Sequence, residues 1–250
     1  MFITNQPAMF VKDYLIIADL HLGITRELYE SGVSVPSQVR KFLERLQKLK
    51  KISKAKNLVI LGDLKHKVPG TSWQEYKEIP DFLQKAPFQK MILVKGNHDA
   101  GIEKLLYGDL KKKVAVKKTF RIGPYLFTHG HRKIPKAQMK NIRTIIIGHN
   151  QPAVLFRDRM GASYVEPVWV KGILKGKKKK RIKIIIMPAF NELAGYGIIN
   201  KKRDKPLGPI AKNIDLNKTH AFLLDGTDLG TIEDLRIEEK FRKAYSSTGK

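Results

Sequence analysis

The sequence predicts an α/β fold: two β-sheets packed face to face with helices outside, in one domain over residues 1–245. Three observations lead there. Over the first 100 residues, short apolar runs alternate with amphipathic stretches, as strands alternate with helices. Beyond residue 110 the chain is mostly short apolar segments of strand length bounded by Gly, Pro and polar residues. No Pro/Gly/Ser-rich linker, fixed-period repeat or low-complexity tract other than lysines divides it, and only residues 246–250 read as a loose tail.

In order along the chain, "AMFVKDYLIIAD" reads as a hairpin turned at Lys12-Asp13, its second strand ending at Asp19. "SVPSQVRKFLERLQKLKKISK" is an amphipathic helix, because Val39, Phe42, Leu43, Leu46 and Leu49 recur at spacings of three and four after the start signal Pro36-Ser37. "KNLVILGD" is a buried strand ending at Asp63. "WQEYKEIPDFLQKA" is helical with Pro80 breaking or kinking it, and "KMILVKGNHD" is a third strand with a polar end. Then "KKVAVKKTFRI", "PYLFTHGH", "RTIIIGHNQPAVLFRD", "EPVWVKGILK", "RIKIIIMPAF" and "HAFLLDG" supply β-structure, with "TIEDLRI" as the last strand.

Composition excludes several classes. At 42% hydrophobic and 29% charged over 250 residues, the chain has the material for a sizeable core. It has no cysteine, which removes disulfides and thiolate metal sites and fits a reducing cytoplasm. The longest apolar runs fall far short of the roughly 20 residues of a membrane span, and the N-terminus lacks the pattern of a signal peptide. The net charge of +26 makes a polyanion, DNA or RNA, the expected partner. Half of that excess lies between Arg132 and Lys183, where 15 basic residues face Asp158 and Glu166. Lys171, Lys175, Lys177, Lys178, Lys179, Lys180 and Arg181 are its densest part: a solvated hairpin tip that can also grip phosphates.

Five polar clusters each follow an apolar strand: Asp19-Leu20-His21, Gly62-Asp63, Gly96-Asn97-His98-Asp99, Thr128-His129-Gly130-His131 and Gly148-His149-Asn150-Gln151. Ligands of open α/β sheets bind beyond the carboxyl ends of strands, so five such ends can meet on one rim. Carboxylate, imidazole and amide-oxygen donors without thiolate suit Mn²⁺, Fe or Zn²⁺, and seven or eight of them are enough for two ions. Two ions a few ångströms apart can share one carboxylate, activate a water and stabilise both oxygens of an in-line displacement at phosphorus.

The motifs "ADLHLG", "LGDLKH", "GNHD", "HGH" and "IIGH", in that order, resemble the calcineurin-like metallophosphoesterases. "VLFRD" and "PAFNELAGYG" are similar to the branch of ligase- or helicase-associated DNA endonucleases. The resemblance implies a four-layer sandwich of two mixed sheets flanked by helices. It implies two divalent ions, Mn²⁺ first and Fe, Zn²⁺, Ni²⁺ or Mg²⁺ as alternatives. It also implies a helicase or ligase as partner. Asp19 and His21 would then hold the first ion, Asp63 would bridge, and Asn97, His129 and His149 would complete the second. His98 would be the catalytic imidazole, oriented and kept charged by Asp99. His131 would lie outside the ligand shell, and His66 reads either as a rim residue or as an ordinary loop residue.

Gln151 departs from the pattern, because relatives carry a second histidine there. It could ligate through its carboxamide oxygen, the first ion could bind only with substrate phosphate, or the site could hold one metal in a protein that acts by binding. Asn150 cannot substitute, since neighbouring strand residues point opposite ways. The leading expectation is a metal-dependent phosphodiesterase acting on DNA or RNA. The alternatives are a phosphodiesterase for small or cyclic phosphoesters, and a nucleic-acid-binding or scaffold module with a weakened site.

Overall fold

The computed structural model of the chain describes residues 1–158, 160–175, 181–201 and 206–237; Lys177, Lys178, Lys179 and Lys180 of the basic hairpin and the tail at 246–250 lie outside the described residues. The first sheet has five strands in the order β1-β2-β3-β4-β5. β1 (Met9–Val11) and β2 (Tyr14–Ile17) form the expected hairpin through Lys12, whose φ is 53°. β3 (Asn57–Ile60), β4 (Lys90–Val94) and β5 (Val114–Lys117) then add in parallel.

Parallel strands need long crossovers, and helices supply them. α1 (Ile24–Glu30) buries only Ile24 and Thr25, so it shows no apolar stripe in the sequence. α2 (Val39–Ser53) buries Val39, Phe42, Leu46 and Leu49, as their spacing predicts. α3 (Trp73–Lys85) runs through Pro80 as one helix, where the sequence predicts a break or kink. Ile79, Pro80, Phe82 and Leu83 are all buried there, and that packing outweighs one missing backbone hydrogen bond. α4 (Leu110–Lys113) leads into β5.

"KKVAVKKTFRI" is not one strand. Val114–Lys117 ends the first sheet, and β6 (Phe120–Ile122) starts the second, so Lys118-Thr119 carries the chain between layers. The second sheet runs β12-β9-β10-β11-β8-β7-β6, built from β7 (Tyr125–Phe127), β8 (Thr144–Ile147), β9 (Pro152–Arg157), β10 (Ser163–Ile173), β11 (Lys183–Ile186) and β12 (Gly197–Ile198). The four-residue α5 (Gly208–Ala211) follows, and β13 (His220–Leu223) and β14 (Asp228–Thr231) attach through β10. The expected last strand "TIEDLRI" is a correction. Only Thr231 belongs to a strand, because its Oγ1 accepts from Asp234 N (3.1 Å) and its carbonyl from Leu235 N (3.1 Å), closing a turn.

Alternate residues of the central strands serve two cores. Leu15, Ile17, Leu58, Ile60, Met91 and Leu93 pack under α2 and α3, whereas Ile16, Val59, Leu61 and Val94 meet Phe127, Ile146, Trp169 and Met187 of the second sheet. That double burial is why these strands read as unbroken apolar runs. A third cluster, including Val154, Val170, Ile184, Ile210 and Ile214, lies on the outer face of the second sheet.

Register decides where the strand ends next to the basic stretch stand. Lys183 pairs with Thr144 at the start of β8, while His149 follows its end. Ile173 and Lys183, which pair at the ends of β10 and β11, therefore lie at the opposite end of the sheet from the polar strand ends, separated by the length of β8, about 13 Å for four residues.

Candidate metal centre

β2, β3 and β4 of the first sheet and β7 and β8 of the second end side by side, and the polar clusters turn inward there. The segments are laced by backbone bonds: Asp19 N to Gly62 O (3.2 Å), His21 N to Asp63 O (2.9 Å) and Gly148 N to His129 O (3.1 Å). The loop after β11 joins the two sheets, with Phe190 N donating to Ala18 O (2.8 Å) and buried Asn191 donating from Nδ2 to Leu20 O (2.7 Å). Asp19, His21, Asp63, His149 and Gln151 all have positive φ, between 43° and 67°. Such backbone costs about 1–3 kcal/mol per residue and persists only where the surroundings impose it. It turns each side chain off its strand axis toward the rim.

Asp63 is the hub. Its Oδ2 lies 3.2 Å from His129 Nε2, 3.7 Å from His21 Nε2 and 4.0 Å from His98 Nε2, while Oδ1 accepts from His98 N (2.9 Å). Asp19 is fully buried, accepts from His149 N (3.1 and 3.2 Å) and lies 3.8 Å from His129 Nδ1. Asn97 Oδ1 is 3.1 Å from His129 Nε2. Candidate donor atoms fall into three sets close enough for one ion each: Asp19, His21 and Asp63; Asp63, His129 and His149; and His21, His66 and His98 at the rim. Asp63 is common to the first two sets, which bring together Asp19, His21, His129 and His149 of the residues the resemblance names, whereas the set with His66 and His98 was not expected.

Chemistry and packing both fit divalent cations. His129 donates Nδ1–H to Leu61 O (2.9 Å), so Nε2, on the side of the carboxylates, is the nitrogen that would be left for a cation, the arrangement that fixes a metal-binding imidazole. Close approach requires glycine at two points. A Cβ on Gly62 would stand 2.2 Å from His129 Nδ1, and one on Gly96 would stand 2.1 Å from Asp63 Oδ1.

Without a cation, protons carry the positive charge. Burial is the largest influence on both Asp19 and His129. It pushes Asp19 up to about 8 against the charge of His129. Burial opposes protonation of His129, but the hydrogen bond it donates to Asp63 and the charges of Asp19 and Asp63 raise it to about 9. For Asp63 burial is outweighed by its bond to His129 and by the neighbouring imidazoles, which hold the carboxyl well below the usual range. Burial lowers His21 to about 3 and His149 to about 4, which keeps both as neutral donors.

Gln151 points into the site. Its carboxamide end lies 3.0 Å from His21 Nε2. With the oxygen turned to that nitrogen, the amide donates to Ala194 O (2.9 Å) and Gly195 O (3.3 Å) of the "NELAG" loop. Asn150 faces away, accepting from Leu207 N (2.7 Å), as strand alternation predicts. His131 stands beside the cluster, 5.3 Å from the His129 ring and 6.1 Å from that of His149, and both its ring nitrogens are buried without partners. Burial, with the His129 charge, lowers it to about 4.

The expected orienting role of Asp99 needs correction. Its carboxylate accepts from Gly96 N (2.8 Å), Leu64 N (2.9 Å) and Lys65 N (3.2 Å), so it ties the β3 and β4 loops together. The partner of His98 is the His66 carbonyl, 2.5 Å from Nδ1. A carbonyl only accepts, so Nδ1 carries hydrogen and Nε2 faces the site. His66 itself sits on the rim, with Nδ1 3.3 Å from His21 Nδ1 and Nε2 2.8 Å from Glu27 Oε2.

Two further residues shape this rim without prior signal from the strand-end clusters. Buried Glu75 accepts from His66 N (2.8 Å), Lys67 N (2.6 Å) and Ser72 N (2.5 Å), and its backbone N–H donates to Ser72 Oγ. The Ser-x-x-Glu spacing of a capping box is the signal that could have found it. Fully buried Lys65 spans the same loop, donating to the carbonyls of Lys67 and Gly70. Of the basic residues, Lys171 is a second correction: its Nζ packs 3.8 Å from the Phe222 ring centroid and 4.2 Å from that of Phe2, half-buried rather than free for phosphate. Lys175 and Arg181 are exposed at the far end of the sheet.

A family model described as calcineurin-like phosphoesterase matches residues 13–204. No curated protein sequence matches the chain. Among solved structures, the fold is similar to the nuclease MPE of Pseudomonas putida, with a TM-score of 0.50 at 20% identity, covering 87% of this chain and 88% of that one. Weaker likenesses are Yfce, a phosphoesterase from E. coli (TM-score 0.35, 17% identity, 70% of this chain and 77% of that one), and a metallophosphoesterase from Sphaerobacter thermophilus (0.34, 14%, 88% of each).

Proposed function

Because the chain belongs to the calcineurin-like phosphoesterase family, hydrolases acting on phosphoester bonds, we propose that it is a phosphodiesterase that cuts DNA or RNA with manganese as its cation. The observation that carries this reading is the meeting of three imidazoles on one carboxylate oxygen, Asp63 Oδ2, at 3.2, 3.7 and 4.0 Å. Asp19, His21, Asp63, Asn97, His129, His149 and Gln151 would hold the cations. Donors of carboxylate, imidazole and amide oxygen, with no thiolate, suit manganese as they suit iron or zinc, and manganese is proposed first. Bound there, the ions supply positive charge at phosphorus and a water of lowered pKa.

The chain's own groups do the rest. His98 is held through Nδ1, so its Nε2 is the proton carrier at the open side of the site. When water attacks phosphorus and the bond to the leaving oxygen breaks, a protonated Nε2 gives that oxygen its hydrogen. Nucleic acid as substrate is supported by the net charge of +26 and by the nuclease to which the fold is similar. Among the described residues no helix is long and apolar enough to cross a membrane.

The test is hydrolysis of a bis-aryl phosphodiester and of oligonucleotides with and without Mn²⁺. Asp63→Asn should lower both by at least about 100-fold, since even groups behind metal ligands cost 10- to 100-fold. Hydrolysis that survives chelation or Asp63→Asn would refute the assignment. Hydrolysis of small diesters alone would reassign the substrate.

A further inference from the structure

We propose that the exposed aromatic face of α3, Trp73 with Tyr76, is a stacking platform for unpaired bases beside the scissile phosphate, so that the site takes single-stranded nucleic acid. The inference rests on the nuclease reading above. A cleft of about 280 Å³ opens off the metal centre, lined by Arg26, Glu27, His66, Lys67, Ser72 and Trp73 among others. His66 belongs to both, since its Nδ1 lies 3.3 Å from His21 Nδ1. A strand whose phosphate sits at Asp63 would have its next nucleotide over this cleft.

Trp73 is 69% exposed and Tyr76 is 53% exposed. Tryptophan is rarely left so open, because its ring gains most from burial. The two lie three residues apart on one face of α3, and Lys77 completes the stripe with Nζ 4.2 Å from the Trp73 ring centroid. The platform is rigid. Ser72 and Glu75 cap the helix, and Gln74 Nε2 donates to Thr25 Oγ1 (2.6 Å), pinning its start to α1.

Charge alone does not explain the cleft. Arg26 pairs with Glu30 at 2.7 Å, and Glu27 faces His66 at 2.8 Å, so the floor is close to neutral. The contribution left to Trp73 is the stacking of a base, with Lys77 near the backbone phosphate. Bases within a duplex are stacked on each other and offer no free face, which selects single strands. Of the basic residues near the β10–β11 turn, the described Lys175, Arg181 and Lys183 lie toward the other end of β8, where Lys183 pairs with Thr144.

The chain has two tryptophans, and Trp169 is 1% exposed. Fluorescence quenching of the full chain, free of metal so that nothing is cut, therefore reads Trp73. A single-stranded oligonucleotide should quench it and the matching duplex should not. In the manganese-loaded protein Trp73→Ala should weaken single-strand cleavage about 5- to 150-fold, the range expected for one lost stacked base. Trp73→Phe should keep most of it, and bis-aryl diester hydrolysis should be unchanged in both. Oligonucleotide cleavage indifferent to Trp73→Ala, with no quenching, would overturn this inference alone. Wild-type hydrolysis of the bis-aryl diester with no oligonucleotide cut would overturn the nuclease reading and this inference with it.

Discussion

Replacing Glu75 by glutamine removes one oxygen from the carboxylate that shapes the His66 loop. Oε1 accepts from His66 N and Lys67 N at 2.8 and 2.6 Å, and Oε2 from Ser72 N at 2.5 Å. The variant keeps one acceptor, so it can hold either the His66–Lys67 pair or Ser72. Holding the pair leaves the Ser72 N–H facing an amide NH₂. An unsatisfied buried donor costs about 1–3 kcal/mol. For a chain of this size that is a fall in Tm of about 2–12 °C. The loop also carries the carbonyl that holds His98 Nδ1 at 2.5 Å, so the imidazole loses its aim while Asp19, Asp63, His129 and His149 keep their own partners. Diester hydrolysis should fall about 10- to 100-fold, the usual cost of losing a group behind the reacting one. Metal content, read by elemental analysis, should stay at the wild-type value. Full activity with an unchanged Tm would refute the idea that Glu75 sets His98. Metal lost in step with activity would mean that Glu75 supports the ligands instead.

Gln151→His should raise manganese content or hydrolysis, because an imidazole would replace a neutral amide 3.0 Å from His21 Nε2; unchanged occupancy and rate would count against Gln151 as a ligand. Metal affinity should climb with pH up to about 9. Asp19, raised to about 8, and His129, raised to about 9, must both give up protons to bind, so indicator dye should detect proton release on manganese addition at pH 7. The same two shifts make the metal-free fold lose stability with rising pH. For Asp19 the loss runs from its ordinary value of 3.8 to about 8, and for His129 from 6.5 to about 9. Tm of the metal-free protein should therefore fall between pH 6.5 and 9, and manganese should cancel that fall.

The centre of the fold was readable because its strands are buried on both faces and end abruptly in Asp, His, Asn or Gly. Apolar runs such as "TIIIGH" mark both the strand and the place where its chemistry starts. Other features were hidden for physical reasons. α1 buries two residues and has no periodicity to show. "KKVAVKKTFRI" has strand composition throughout, and nothing local says that its halves pair with different sheets. The partner of His98 is a backbone carbonyl 32 residues away, which no side-chain pattern can reveal. The placement of Lys183 at the end of the sheet away from the site follows from the register of β8 and β11, a long-range pairing that side-chain alternation does not announce.

The left-handed backbone at Asp19, His21, Asp63, His149 and Gln151 has a consequence for how the protein can be dissected. Alanine, the customary knockout, would delete a donor while placing a residue that resists this conformation, so chemistry and folding would fail together. Asparagine and glycine tolerate it. A mutational scan at these five positions should therefore rank survivors by backbone tolerance rather than by similarity of side chain, with valine and isoleucine last. Asp19→Asn and Asp63→Asn are the pair of substitutions that would silence the centre and leave its architecture standing.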